Sequence, residues 1–348
     1  KENFMQKLFF TLMLISLMIV QACRNDSAID PSQPTPEPQG ERGVFIVSEG
    51  AFPNAGSVSF YNITKDSVYR SIVSSSAGWI TPNDARVVGK KLYVVVNGTD
   101  RIYVRNADTF QAIDSIAMPT NSSPGFIWIV DSTKAYVANY NGTVSLLDLV
   151  QKTVVRTSAI VVNFPGGIVA DVGKVYVSNY GLYPNLKNIV KVLDGNSLSV
   201  VDSIRVGHAA GSMVKGTARL YVVSTGSFPT RGKVYAINTL TDGIIDSVAI
   251  GTSPSDIAIV HQALYVLHDN RVMRLSASPL SVQDSGFISL SNGQYFYALH
   301  ADEVRGDVYV SKIVSGGGTG DVEIYFSDGL LRRRLTNIGI FPGAFAFK

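Results

Sequence analysis

The chain has 348 residues, of which 46% are hydrophobic and 16% are charged, and its formal net charge is +3. Its hydrophobic content is enough to bury a large core. The near balance of basic and acidic residues excludes the strong positive field that a nucleic-acid-binding protein needs, and it excludes a strongly acidic field as well.

The first element in chain order is a short apolar segment. Lys7 precedes the run Leu8–Val20, whose 13 residues fall short of the roughly 20 that a transmembrane helix needs. The run ends in Val20-Gln21-Ala22-Cys23, which resembles a bacterial lipobox, and Cys23 is the only cysteine. We therefore predict a lipoprotein signal peptide over residues 1–22 with lipid attachment at Cys23. A plain secretory signal with an incidental cysteine is the alternative.

The next segment, residues 23–42, is polar after its lipidated cysteine and contains four prolines. Such a composition cannot bury enough apolar surface to fold, and proline favours extended backbone. The segment is therefore predicted to be a disordered tether.

From residue 43 onward, one strand pattern with an aromatic second residue recurs at a period of about 44 residues. A period of this length, built from short strands, predicts a β-propeller in which each repeat is one four-stranded blade. The seven copies of the pattern are Val44-Phe45-Ile46, Leu92-Tyr93-Val94, Ala135-Tyr136-Val137, Val175-Tyr176-Val177, Leu220-Tyr221-Val222, Leu264-Tyr265-Val266 and Val308-Tyr309-Val310.

The two ends of the repeat region predict how the ring closes. Each blade divides into strands A to D, and the third is predicted as Gly125–Asp131, Lys134–Asn139, Thr143–Leu149 and Val154–Val161. The first strand, Gly43–Val47, is a B strand with no A strand before it, and the last segment, Gly343–Lys348, is an A strand with no B strand after it. The fold class is therefore all-β, a seven-bladed propeller over residues 43–348. One blade combines the C-terminal strand with three N-terminal strands.

Several motifs resemble a known family. Tyr136-Val137-Ala138-Asn139 and Tyr176-Val177-Ser178-Asn179 resemble the YVTN repeats of YncE-like and surface-layer-type propellers. The opening 43–50 and the ending 339–345 resemble a lipoprotein subgroup that includes BtuG-type proteins. Those proteins capture cobalamin at the cell surface and pass it to a TonB-dependent transporter. The resemblance implies an outer-membrane or cell-surface location and such a transporter as a partner.

The B–C and D–A loops of all blades are expected at one end of the ring, which we call the loop face. They are rich in aromatic and amide side chains, a combination that suits a rigid, mostly neutral ligand such as a glycan, a corrinoid or a peptide. The alternative for each aromatic ring is packing between blades. The candidate ligand-binding residues are Trp79, Asn97, Arg101, Phe126, Tyr140, Phe164, Tyr180, Tyr183, Phe228, Arg231, His268 and Tyr295.

Evidence for catalysis in the sequence is thin. The four histidines lack the local spacing of a metal site, and no nucleophile elbow or phosphate loop is present. Asp84 and Asp256 lie two residues after Pro82 and Pro254, where they could bind a calcium ion or cap backbone groups. We therefore predict no catalytic residue, no metal and no cofactor.

These observations favour a non-enzymatic, lipid-anchored ligand-binding propeller, exported across the inner membrane. Two alternatives stay open. One is a structural module that docks another envelope protein, and the other is a propeller enzyme of the lactonase or lyase type with a metal in the tunnel.

Overall fold

The computed structural model describes residues 41–51, 56–73, 78–182, 184–227, 229–290, 294–314 and 318–348. This part of the chain forms seven four-stranded antiparallel sheets, together with one short 3-10 helix at Asn97–Thr99. It contains no helix of the length and apolar character that crossing a membrane would require. The predicted signal peptide, Cys23 and almost all of the predicted tether lie outside the described residues, as do Tyr183 and Phe228.

The strands are numbered in chain order and grouped by blade. Blade 1 contains β28 (Pro342–Phe347), β1 (Gly43–Ser48), β2 (Ser57–Asn62) and β3 (Ser67–Val73). Blade 2 contains β4 (Pro82–Val88), β5 (Lys91–Val96), β6 (Arg101–Asn106) and β7 (Ala112–Ala117). Blade 3 contains β8 (Pro124–Ile129), β9 (Lys134–Asn139), β10 (Val144–Asp148) and β11 (Thr153–Thr157). Blade 4 contains β12 (Pro165–Asp171), β13 (Lys174–Leu182), β14 (Asn185–Asp194) and β15 (Val200–Arg205). Blade 5 contains β16 (Ala210–Gly216), β17 (Arg219–Ser224), β18 (Gly232–Asn238) and β19 (Ile244–Gly251). Blade 6 contains β20 (Pro254–Val260), β21 (Ala263–His268), β22 (Arg271–Ala277) and β23 (Leu280–Ser289). Blade 7 contains β24 (Gln294–Ala301), β25 (Val308–Val314), β26 (Thr319–Tyr325) and β27 (Leu331–Ile340).

The A strands β4, β8, β12, β16, β20, β24 and β28 contact one another in that order around a central tunnel, and β28 meets β4 to complete the ring. The closing blade has the order β28-β1-β2-β3, with Val44 opposite Phe347 and Ile46 opposite Phe345. The predicted seven-bladed architecture and its closure by the C-terminal strand are confirmed.

The repeated aromatic residue of strand B joins neighbouring blades. The hydroxyl of Tyr136 donates to the carbonyl oxygen of Gly195 in the C–D turn of the next blade, at 2.6 Å. Tyr221 donates to Ala277 in the same way, at 2.9 Å. All seven of these rings are at most 2% exposed, so each also fills the apolar space between two blades. The sequence period therefore reflects a contact that is needed once per blade joint.

Five A strands begin at a proline, a position at which a missing backbone N–H costs no ladder hydrogen bond. All five pairings with strand B then shift register within two residues of the proline, at Pro82, Pro124, Pro165, Pro254 and Pro342. A bulge of this kind bends the strand and re-aims the following side chain. The residues two positions after these prolines include Asp84, Phe126 and Asp256.

Two segments differ from their predicted form. Strand D of blade 3 ends at Thr157 and not at Val161, because the backbone N–H groups of Val161 and Val162 turn to the carbonyl of Gly142. In blade 4 the predicted B–C loop is largely strand, since β13 and β14 remain paired as far as Leu182 and Asn185.

The chain enters the ring at the end that carries the A–B and C–D turns, which we call the turn face. Both nitrogen-to-oxygen contacts of Arg42 Nη2 with the Asp302 carboxylate are near 3.0 Å, and Asp302 lies in the A–B turn of blade 7. The carbonyl of Arg42 accepts a hydrogen bond from the N–H of Ile63 beside the C–D turn of blade 1. At the other end of the sequence, Lys348 and Gly43 pair through their backbones.

Candidate functional site

Three aromatic rings predicted for the site form one cluster on the loop face. The Tyr140 ring stacks on Phe164, with centroids 4.6 Å apart and planes 20° from parallel, and meets the edge of Phe126 at 5.8 Å. All three rings keep part of their surface exposed. The cluster therefore offers a partly exposed apolar surface built from the start of β8, where Phe126 lies in the strand and not in the predicted loop, and from the loops that carry Tyr140 and Phe164.

The local sequence explains the position of Tyr140. It begins a tight B–C turn in which Gly142 has a φ of +89° and donates its N–H to the carbonyl of Asn139. A Cβ atom at Gly125 would lie 2.9 Å from a ring carbon of Tyr140. The ring can lie against strand β8 only because residue 125 is glycine.

A carboxyl group faces this cluster from blade 1. Glu49 follows strand β1 and makes a side-chain hydrogen bond with Tyr297, which lies on β24. A Cβ atom at Gly343 would lie 2.7 Å from Oε1 of Glu49, so the glycine lets the carboxyl approach the start of β28. Tyr297 in turn packs 5.4 Å from Phe341.

The carboxyl of Glu49 and the phenols of Tyr140 and Tyr297 influence one another's pKa values. Burial raises the pKa of the Glu49 carboxyl, and the hydrogen bond from Tyr297 opposes part of that rise. Burial also raises the pKa of Tyr297 and of Tyr140, and the negative charge of Glu49 raises both further. Both phenols are therefore uncharged donors at neutral pH. We call the set Glu49, Phe126, Tyr140, Phe164 and Tyr297 the aromatic mouth.

Below the mouth lies the central tunnel, which encloses a cavity of about 360 Å³ lined by residues of all seven A strands. Asp84 is buried in its wall, where Oδ2 accepts the backbone N–H of Ile127 in the next blade at 3.0 Å. Asp256 repeats this contact with the N–H of Leu299 at 2.9 Å. Each carboxylate also accepts the N–H of the residue that follows it. Both carboxylates therefore cap backbone groups at a blade joint, as one of the two interpretations of the sequence expects.

Burial is the largest influence on both carboxylates and raises their pKa. Arg86 opposes that rise at Asp84, whereas the charge of Asp84 adds to the rise at Asp256. The described residues contain no group of three or more histidine, cysteine, aspartate or glutamate side chains placed to hold a metal ion.

The structure places the other predicted site residues differently. Trp79 is only 2% exposed and stacks on Tyr103 at 4.7 Å, so its ring packs within the scaffold and presents almost no surface to a ligand. The side chain of His268 is 12% exposed, and a Cβ atom at Gly251 would lie 2.5 Å from its Nε2. It therefore packs closely against the D–A connection.

Several predicted residues lie apart from the aromatic mouth. Arg101 is exposed and donates to Oγ of Ser115 on the outer strand of its own blade. Arg231 is exposed, Tyr295 is 49% exposed on β24, and Asn97 is half-buried in the 3-10 helix. Tyr180, by contrast, adjoins the mouth, because its backbone N–H donates to the carbonyl of Phe164 at 2.9 Å, and its half-buried ring lies beside Gly211 on the first strand of blade 5.

The sequence analysis missed Glu49 and Tyr297. Glu49 was noted only within a framework motif, and Tyr297 lies within a strand and not within a loop. One signal was available: Glu49 is an acidic residue that directly follows an apolar strand in a B–C loop.

Comparisons with known proteins agree with this fold. A protein described as quinonprotein alcohol dehydrogenase-like, from Bacteroides thetaiotaomicron, superposes with a TM-score of 0.66 at 16% identity, over 88% of this chain and 78% of that chain. Hydrazine synthase from Kuenenia stuttgartiensis superposes with a TM-score of 0.61 at 15% identity, over 76% and 88%. BamB from Moraxella catarrhalis superposes with a TM-score of 0.51 at 14% identity, over 85% and 83%. At these identities the likeness concerns the fold alone.

A comparison with curated protein sequences gives no match. Residues 42–269, well over half of the chain, match the family described as "Domain of unknown function (DUF5074)". The match starts one residue before strand β1 and ends one residue after β21. This propeller therefore belongs to the DUF5074 family.

Proposed function

We propose that this protein is a non-enzymatic binding protein that captures a nutrient at the aromatic mouth. The single observation that carries the proposal is the convergence of three partly exposed rings, a half-buried carboxyl and an uncharged phenol on one opening. Flat apolar surfaces with a few fixed polar groups are typical of small-molecule sites. The ligand class is a rigid, mostly neutral molecule that bears hydroxyl or amide groups, such as a corrinoid or a glycan.

The polar groups of the mouth suit such a ligand. The carboxyl of Glu49 accepts hydrogen bonds, and the phenols of Tyr140 and Tyr297 both donate and accept them. Phe126 and Phe164 add apolar area at little cost in side-chain entropy. A ligand that lay on these rings could therefore exchange hydrogen bonds with groups from blades 1, 3 and 7.

The binding proposal is tested by titration calorimetry with two probes, cyanocobalamin and maltohexaose. Replacement of Tyr140 by Ala should weaken binding by roughly 2 kcal/mol, about 30-fold, as expected when a central aromatic contact is lost. The matched control is Phe326→Ala, which removes an aromatic side chain that is 40% exposed in the C–D turn of blade 7, on the turn face.

The control variant should bind like the wild type. Equal binding by wild type, Tyr140→Ala and Phe164→Ala would refute a site at the aromatic mouth. Failure of the wild type to bind both probes would refute the two named ligands.

We further propose that the protein is exported and anchored by lipid at Cys23, at the outer membrane or cell surface, where a TonB-dependent transporter would receive the ligand. Replacement of Cys23 by Ser should release folded protein into the soluble fraction, because one chemical anchor is lost and the ring is unaltered. Incorporation of labelled palmitate into the wild type but not into Cys23→Ser would support lipid attachment at Cys23. Unchanged membrane association of the variant would contradict a lipid anchor.

A docking module is the second candidate, and one observation favours it. Several aliphatic side chains are well exposed in the A–B and C–D turns of blades 3, 4, 5 and 7, and exposed apolar groups of this kind favour contact with a partner protein. They are Val150, Val172, Leu240, Val304 and Leu330. Cross-linking in intact membranes from residue 172 on the turn face, with residue 140 on the loop face as the comparison, separates the two functions. Capture of one partner from residue 172 alone would favour docking.

A further inference from the structure

A second cavity adjoins the tunnel cavity at the turn face. The tunnel cavity and a cavity of about 520 Å³ at the turn face share Lys215, Ile259 and Glu303 in their linings. Apart from Glu303 of blade 7, the residues that line the second cavity come from blades 5 and 6.

The two basic side chains of the tunnel lining are both engaged in ion pairs. Nη1 of Arg86 lies 2.5 Å from Oδ1 of Asp84, and Nζ of Lys215 lies 2.7 Å from Oδ1 of Asp171. Each ion pair as a whole carries no net charge, so at distances well beyond these contacts its field is weak, although a close neighbour such as His300 still senses Arg86. Neither cation adds much net positive charge to the passage.

Two acidic side chains of the lining have no such counterion. Asp256 and Glu303 both line the tunnel cavity, and within the described residues neither forms an ion pair. The contrast between blades 2 and 6 is direct, because Asp84 has Arg86 two residues later, whereas Asp256 has Ala258 there. Asp256 accepts hydrogen bonds from Ser212, Ile257 and Leu299, which are neutral donors and supply no counterion.

The rest of the wall suits a cation that carries an apolar group. Phe126, Trp128 and Phe347 contribute partly exposed aromatic rings to the cavity, and the faces of such rings attract ammonium groups. Oδ1 of Asn83 and Nδ1 of His300 are buried in the same wall and form no hydrogen bond within the described residues. Oδ1 of Asn83 is an amide oxygen and therefore a hydrogen-bond acceptor, so a ligand that donates a hydrogen bond would satisfy it.

We propose that the tunnel between the aromatic mouth and the turn face binds a small organic cation, held by the carboxylates of Asp256 and Glu303 against the aromatic wall. This site shares the Phe126 ring with the mouth but lies below it and takes a ligand of different charge. A volume of about 360 Å³ lies at the lower end of the range of small-molecule sites, roughly 300–1,000 Å³.

The proposal is tested by titration calorimetry at low ionic strength with three probes of similar size, 2-phenylethylammonium, 2-phenylethanol and 3-phenylpropionate. The ammonium should bind the wild type about tenfold more tightly than the alcohol, because a charge in a partly desolvated passage interacts strongly with an unpaired carboxylate. The carboxylate probe should not bind. Binding of the ammonium should weaken as salt is added.

Substitutions of the tunnel carboxylates test whether the ammonium probe binds in the tunnel. Glu303 is exposed, so Glu303→Gln will fold, and it should weaken ammonium binding several-fold. Asp256→Asn should weaken it about tenfold. The matched control is Asp328→Asn, which removes one exposed carboxylate from the C–D turn of blade 7 and should leave binding unchanged.

Four results would overturn the proposal. The first is absence of ammonium binding at millimolar concentration, and the second is binding of the alcohol or the carboxylate probe at least as tight as that of the ammonium. The third is a loss of ammonium affinity in Asp328→Asn equal to that in Asp256→Asn, and the fourth is unchanged ammonium affinity in Glu303→Gln. Tyr140→Ala should leave ammonium binding intact, so the tunnel site and the proposed nutrient site can fail independently.

Discussion

Replacement of Phe345 by Ala tests the closure of the ring. Phe345 lies on β28 and is 2% exposed. Its ring lies 6.1 Å from that of Tyr309 and 5.2 Å from that of His300. It belongs to the apolar cluster that joins blades 7 and 1, together with Val44 and Ile46. Loss of a fully buried ring at such a joint should cost about 3–5 kcal/mol, from lost transfer free energy and from the cavity that remains.

The cost can be measured as a shift of the melting temperature by circular dichroism. In a domain of this size each kcal/mol lowers the melting temperature by about 2 °C, so Phe345→Ala should melt about 6–10 °C below the wild type. Tyr295→Ala is the matched control, since it removes an aromatic ring from another A strand at a position that is 49% exposed. Its free energy of unfolding should change by no more than about 0.5 kcal/mol.

Equal melting temperatures for wild type and Phe345→Ala would refute the reasoning, because they would mean that β28 does not hold blades 7 and 1 together. A decrease of the melting temperature in Tyr295→Ala as large as that in Phe345→Ala would also refute the reasoning. It would show that any aromatic ring of an A strand has this effect.

Two further predictions concern His300 and Trp79. Burial, with the charge of Arg86 nearby, lowers the pKa of His300 to about 3, so the folded protein holds a neutral imidazole where the unfolded chain takes up a proton below about pH 6.5. The free energy of unfolding should therefore fall as the pH drops from 6.5 toward 3, by up to about 1.4 kcal/mol per pH unit from this group. Urea midpoints should depend less steeply on pH in His300→Gln, and parallel profiles for the two proteins would contradict this. Trp79→Ala should lower the melting temperature, because the stacking on Tyr103 is lost, and it should leave ligand affinity unchanged. Tyr140→Ala should have the opposite effect. A variant Trp79→Ala with altered affinity and an unchanged melting temperature would contradict the scaffold role of Trp79.

The fold could be predicted from the sequence because a buried aromatic ring recurs at the same position of strand B in every blade. Tyr136, Tyr176 and Tyr221 each reach the C–D turn of the next blade, so an aromatic residue is required at the same position of each repeat. The closure could be predicted for a similar reason, since the strand count leaves one A strand at one end and three strands at the other. Details such as the early end of β11 depend on which carbonyl group a loop N–H reaches, and periodicity does not contain that information.

The candidate site could be predicted only in part. Tyr140 and Phe164 lie in loops of the loop face and Phe126 lies near the start of β8, and the architecture brings these positions together. Whether a loop aromatic turns inward depends on its neighbours, and Trp79 does so because Tyr103 offers a ring to stack on. The contact between Glu49 and Tyr297 joins distant parts of the chain, and the approach of Glu49 depends on the glycine at 343. A single sequence does not reveal such a combination.

The entry of the chain at the turn face has a practical consequence. Arg42 is held there by Asp302, and Lys348 pairs beside it with Gly43, so both ends of the described ring emerge on the side away from the aromatic mouth. A linker joined at residue 42 or 348 would leave the mouth unobstructed and pointing away from whatever holds the protein. A biotin placed there would fix every molecule on a sensor surface in the same orientation, with the mouth toward the flowing solution and the turn face toward the support.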